Sequence, residues 1–149
     1  MTTDLVLASF HHLLVFSLAG VLAMELFAVR SGLSGSTLRL LGRVDGAYGG
    51  IATAIILVGI ARVIWGLKGW EFYVASHAFW AKMAAFVLVG LLSIKPTMRI
   101  IAWRKQAAAD SAYSVPDSEI DAVRAFLKAE AFMVALIPVF AAAMARGLG

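Results

Sequence analysis

Between Leu5 and Met24 the chain runs for 20 residues without an aspartate, glutamate, lysine or arginine. A helix needs about 20 predominantly apolar residues to cross the hydrocarbon of a bilayer, and inside lipid only a helix or a closed barrel satisfies its own backbone. This stretch therefore predicts a first membrane span over residues 5–29. No basic segment precedes it and it is too long for the apolar region of a secretory signal, so it is expected to be retained.

The pattern recurs. Further spans are expected over residues 46–67, interrupted by Arg62, and 72–94, interrupted by Lys82. A fourth, over residues 118–146, has an apolar core from Ala131 to Ala145, preceded by an amphipathic stretch from Ser118 to Glu130 whose long side chains can snorkel. With 62% hydrophobic residues, 15% charged residues and a mean hydropathy of +0.89, the composition lies outside that of a water-soluble domain of this size. The predicted fold class is an all-α membrane protein, a single domain over residues 1–149 built as a bundle of four transmembrane helices.

Charge sets the expected orientation. Arg30, Arg39 and Arg43 fall between spans one and two, and Lys95, Arg99, Arg104 and Lys105 between spans three and four; the opposite side carries only Lys68 and Arg146. Lysine and arginine accumulate on the cytoplasmic side, so both termini are expected in the periplasm of a multi-pass protein of the bacterial inner membrane, with the lipid bilayer as its surroundings. The excess of 13 basic over 9 acidic residues is then a loop signature, and nucleic acid is discarded as a partner. Trp65, Trp70 and Trp80 would form an outer aromatic belt and Trp103 an inner one. The absence of cysteine excludes disulfides, covalent c-type haem, Fe–S clusters and thiolate metal sites. Pro96 and Pro138 lie inside apolar helices, where kinks are expected. Gly42, Gly46 and Gly50 follow the small-xxx-small spacing that brings membrane helices close.

Function is sought in the polar residues that lipid makes costly. His11 and His12, Arg62, and His77 fall at similar depth on three different spans, with Lys82 somewhat deeper. Adjacent helical residues point about 100° apart, so only one of His11 and His12 is expected to face a common site. His11 is the preferred one because Glu25, 14 residues on, shares its face; the same spacing puts Tyr48 and Arg62 on one face of span two. Lys82 is expected to pair with Glu25 or Glu130, or to reach the outer cluster. At the inner end, Glu25, Asp45 and Glu130 are expected to form ion pairs with Arg30, Arg43, Lys95, Arg124 and Lys128. For His77 and Arg62 the competing reading is a headgroup-zone residue and a side chain that snorkels outward against Trp65.

The segments LLGRVDGAYGGIATAIILVGIARVIWGLKG and FWAKMAAFVLVGLLSIKPTMRI resemble a family of small four-span bacterial membrane proteins catalogued as a domain of unknown function. Arg43, Asp45, Gly49, Gly50, Gly59, Arg62, Lys82, Lys95, Pro96 and Arg99 carry that resemblance, which implies a fold and no activity. FHHLLVFSLAG, with a tryptophan closely followed by lysine in span three, is more distantly similar to the haem-containing bacterial protoporphyrinogen oxidase family and to copper-resistance D-type membrane domains. In the oxidase family a histidine stands two residues before that lysine. Here the position is Trp80, and His77, one turn outward, is the remaining candidate.

Three functional classes follow. The first is a redox protein holding haem b or a quinone, with His11, Arg62, His77 and Lys82 as cofactor-binding residues; the imidazoles of His11 and His77 would be metal ligands to haem iron or to a copper or zinc ion. The second is a small homo-oligomeric channel or transporter. The third is a non-catalytic accessory or assembly subunit bound to a partner membrane subunit. The residues leave open whether the protein is an enzyme.

Overall fold

The computed structural model describes residues 2–67 and 69–147; Lys68, assigned above to the outer side, lies outside them. The order is α1 (Thr2–Ala28), α2 (Gly35–Trp65), the short α3 (Gly69–Val74), α4 (His77–Ala109) and α5 (Asp117–Ala145). Four of these are long and apolar enough to cross a membrane, and the protein is an all-α membrane protein. Large apolar side chains such as Phe16, Phe27, Ile56, Leu88 and Phe132 stand on the outer surface, as helices facing lipid require.

Two helices are longer than their apolar runs. α2 begins at Gly35, well before residue 46, because Leu38, Leu41 and Val44 recur at helical spacing and bury, while Arg39 and Arg43 point outward. α4 reaches Ala109 by the same logic through Ile100 and Trp103. At 31 and 33 residues these helices measure about 46 and 50 Å, more than the roughly 30 Å of hydrocarbon, so their charged ends project beyond it. The third span starts later than residue 72. The chain breaks at Ala75 and Ser76, and the Ser76 hydroxyl accepts from the Phe79 N–H at 3.2 Å to begin α4. Pro96 and Pro138 both sit within continuous helices.

The helices form two hairpins, α1 with α2 and α4 with α5, which meet along α2–α4 and α1–α5. One end of the bundle, the loop pole, carries the connections 29–34 and 110–116; the other, the terminal pole, carries the two chain ends and α3. At the loop pole the connections are tied together: the Val115 N–H donates to Leu33 O at 3.0 Å, and Ser34 pairs with Ser114 as an antiparallel bridge. Gly32, at φ 80°, lets the first connection reverse where a side chain would be strained.

Polar contacts gather at this pole. Trp103 is fully buried rather than marking an interface, and its Nε1 donates to Glu119 Oε2 at 2.6 Å, with Arg99 3.6 Å from the same oxygen. Arg99–Glu119 is the one carboxylate ion pair among the described residues, so the expected pairing of Glu25, Asp45 and Glu130 with the basic belt is not formed. Lys95 lies over the Phe126 ring at 4.4 Å, and Arg124 caps α1 by donating from Nη1 to Leu26 O at 3.1 Å and Val29 O at 2.6 Å. Of the three glycines at small-xxx-small spacing, Gly42 lies under the Arg104 side chain, which crosses α2 where a Cβ would stand, while Gly46 and Gly50 face open space. The contact at Gly42 is with a side chain and not with a helix backbone.

Candidate ligand-binding site

Near the terminal pole, His11 on α1, Arg62 on α2 and Lys82 on α4 converge, all half-buried. Each lines both of two adjoining cavities, of about 380 and 590 Å³. Helical register explains the convergence: His11 lies seven residues before Leu18 and Arg62 seven after Ile55, so both share the faces that those core residues turn inward. Lys82 is three residues before Ala85 on the buried face of α4. Gly59 faces the imidazole; a Cβ there would lie in ordinary van der Waals contact with His11 Cε1, at 3.6 Å.

The site is cationic and short of partners. His11 Nδ1 and Arg62 Nε are buried with no hydrogen-bond partner. Lys82 Nζ lies 5.1 Å from the Phe79 ring centroid, a cation–π contact, and no carboxylate of the described residues pairs with any of the three. Tyr73, from α3, completes the wall of both cavities and packs on Phe79 at 5.6 Å between centroids; nothing in the sequence pattern singled it out, because the start of the span expected over residues 72–94 is in the structure the end of a separate six-residue helix. The three basic groups thus reach one another rather than the acids at the opposite pole.

The two other histidines lie differently. His77 is exposed on the first turn of α4 and lines neither cavity. His12 is exposed at the edge of the larger cavity, its Nδ1 2.6 Å from the Ala8 carbonyl and its ring perpendicular to that of His11. A bis-imidazole haem needs two histidines facing each other across the cofactor, from different helices. The two cavities hold histidines from α1 alone, His11 and at the edge His12, and the expected partner of His11, His77, lines neither of them. Nor do the described residues contain a group of three or more His, Asp or Glu side chains able to hold a metal ion. The residues do not fit a bis-histidine haem.

The larger cavity has the form of a groove. It follows the seam between α1 and α5 from His11 to Leu26, fifteen residues or about 22 Å of helix. Its walls are kept low by Ala19 and Ala23 on α1 and by Ala131, Ala135, Ala141, Ala142 and Pro138 on α5. At its far end the groove reaches Leu26, whose carbonyl, with that of Val29, accepts from Arg124. The arrangement is a polar head site joined to a long apolar channel.

A family model described as "Predicted membrane protein (DUF2214)" matches residues 3–149. The chain belongs to this family. The matched residues run from the first turn of α1 through α5 and include the positions of His11, Arg62, Tyr73 and Lys82. No curated protein and no solved structure matches the chain.

Proposed function

We propose that this membrane protein binds a long-tailed amphiphile with an oxygen-rich head, of which a membrane quinone is the best fit, and serves in redox chemistry of the bacterial inner membrane. The observation that carries the reading is the coincidence of an orphaned donor, Arg62 Nε, and an unpartnered ring nitrogen, His11 Nδ1, with the head of an apolar groove long enough for an isoprenoid tail. Buried polar atoms without partners are costly; a quinone carbonyl would accept from Arg62 Nε, and the imidazole can donate to a quinone carbonyl or accept from a quinol hydroxyl according to its tautomer. Lys82 supplies a third positive group suited to an anionic reduced head, and Tyr73 and Phe79 offer ring faces to stack on it. The lysine and arginine distribution supports an orientation with the head site toward the periplasm.

Lipid extraction of protein purified in mild detergent tests the reading. Quinone should co-purify with the wild type, and added short-tailed quinone should quench Trp65, Trp70 or Trp80 fluorescence. Both effects should fall at least tenfold in His11→Ala and Arg62→Met and persist in His77→Ala. A quinone-free protein that takes up no added quinone would refute it. That no carboxylate of the described residues lines either cavity favours a second reading, an anionic acyl lipid in the same groove; phospholipid in place of quinone in the extract would support that one.

A further inference from the structure

At the other end of the bundle, α1, α2 and α5 bury a second polar group made of Glu25, Tyr48 and Glu130. Fourteen residues, about 21 Å of helix, separate Glu25 from His11, so this group is distinct from the head site. Glu25 is 2% exposed and Glu130 0%. The Tyr48 hydroxyl donates to Glu130 Oε2 at 3.0 Å, but Glu130 Oε1 and Glu25 Oε1 are both sealed from solvent with no hydrogen-bond partner.

The charged and titratable groups around this pair do not neutralise it. Asp45, on α2 one turn from Tyr48, is held by the Thr97 hydroxyl of α4 at 2.7 Å, and Arg104 of α4 acts on Asp45. Arg124, on α5, is spent on the backbone carbonyls of α1. No lysine or arginine of the described residues forms an ion pair with Glu25 or Glu130. The set does not form a metal site. Two neighbouring carboxylates buried without a cation would bear a desolvation cost that neither the lone tyrosine donor nor the surrounding leucines and valines can offset. Each orphaned oxygen is an acceptor without a donor, and a neutral acid costs far less to bury than a carboxylate.

We infer that Glu25 and Glu130 form an interior proton-binding site, holding at least one exchangeable proton between them on the loop-pole side of the bundle. The hydron is the ligand, and Tyr48 positions Glu130 to receive it. Asp45, 9% exposed and one turn nearer the loop pole, stands where a proton from that aqueous face would enter.

Infrared difference spectroscopy of the full chain in liposomes, in H2O and D2O, tests this. At neutral pH the wild type should show the C=O band of a buried protonated carboxylic acid, shifting on deuteration and disappearing at high pH. Glu25→Gln and Glu130→Gln should each diminish it, the double variant should abolish it, and Tyr48→Phe should shift it. Glutamine copies the shape of the neutral acid, so the single variants should keep the wild-type thermal midpoint at neutral pH. No such band at neutral pH, a band unchanged in the double variant, or carboxylate bands that respond to sodium replacing choline would each overturn the proposal; the last would assign the site to a metal cation. A marked fall in thermal midpoint for Glu25→Gln would also count against it, since it would mean that Glu25 is needed in its charged form.

Discussion

Replacing Arg124 with methionine keeps the length and apolar stem of the side chain but removes the clasp on α1. Two bonds disappear, to Leu26 O and Val29 O, and Val29 is 0% exposed, so water cannot freely take over its carbonyl. Hydrogen bonds to charged groups contribute roughly 1.5–3 kcal/mol each. Because the guanidinium is only half-buried and one nitrogen serves both acceptors, the lower end applies to the pair together, about 2 kcal/mol. For a chain of this size about 1 kcal/mol corresponds to roughly 3 °C, so Arg124→Met should lower the thermal midpoint by about 6 °C, followed by helical circular dichroism in detergent. Arg124→Lys, with a point charge that reaches one carbonyl, should lose about half as much. A midpoint within about 1 °C of wild type for Arg124→Met would refute the reasoning, and would mean that the last turn of α1 needs no partner from α5.

Further outcomes follow from the same geometry. Trp103→Phe removes the Glu119 donor from a fully buried position and should cost about 1–3 kcal/mol of stability, whereas Arg99→Ala, breaking the half-exposed pair to the same carboxylate, should cost under about 1 kcal/mol; thermal midpoints of the two variants distinguish them. Gly46→Leu and Gly50→Leu face open space and should leave the isolated fold within about 0.5 kcal/mol of wild type, so an oligomer that they dissociate in light scattering would place an interface on that face. The chain has no cysteine, which makes single substitutions clean reporters: in intact cells Thr3→Cys should react with a membrane-impermeant maleimide and Ser111→Cys should not. The reverse labelling would invert the proposed orientation.

The spans were legible because lipid leaves little choice: long apolar runs must be helices. His11, Arg62 and Lys82 could be singled out for the same reason, and their common depth follows from counting residues along helices of fixed rise. His77 could not be placed that way. Its position depends on a helix break at Ala75–Ser76 that puts it on the first, exposed turn of α4, while Lys82, five residues on, faces inward. Trp103 was misplaced because aromatic-belt reasoning concerns depth and not rotation about the helix axis; its seven-residue spacing to Pro96 on the buried face was the available signal. The bonds of Tyr48 to Glu130 and of Arg124 to α1 join residues 82 and 95 or more apart, and no local pattern encodes such pairing. Tyr73 was missed because a six-residue helix carries too little periodicity to read.

The division into two hairpins has a consequence for biogenesis. Tyr48–Glu130, Asp45–Thr97, Arg124 with Leu26 and Val29, and Val115 with Leu33 all join the first hairpin to the second. The α1–α2 hairpin therefore emerges from the ribosome with Asp45 and Tyr48 still waiting for their neighbours, and with the carbonyls at the end of α1 uncapped. The last of these partners, Glu130, lies about 65 residues beyond the end of α2 at Trp65 and must be translated before those groups are satisfied. A chain stopped before α5 would leave the Tyr48 hydroxyl and the last carbonyls of α1 unmet within the bilayer, which gives membrane quality-control proteases a chemical mark of incompleteness that these groups lose in the finished bundle.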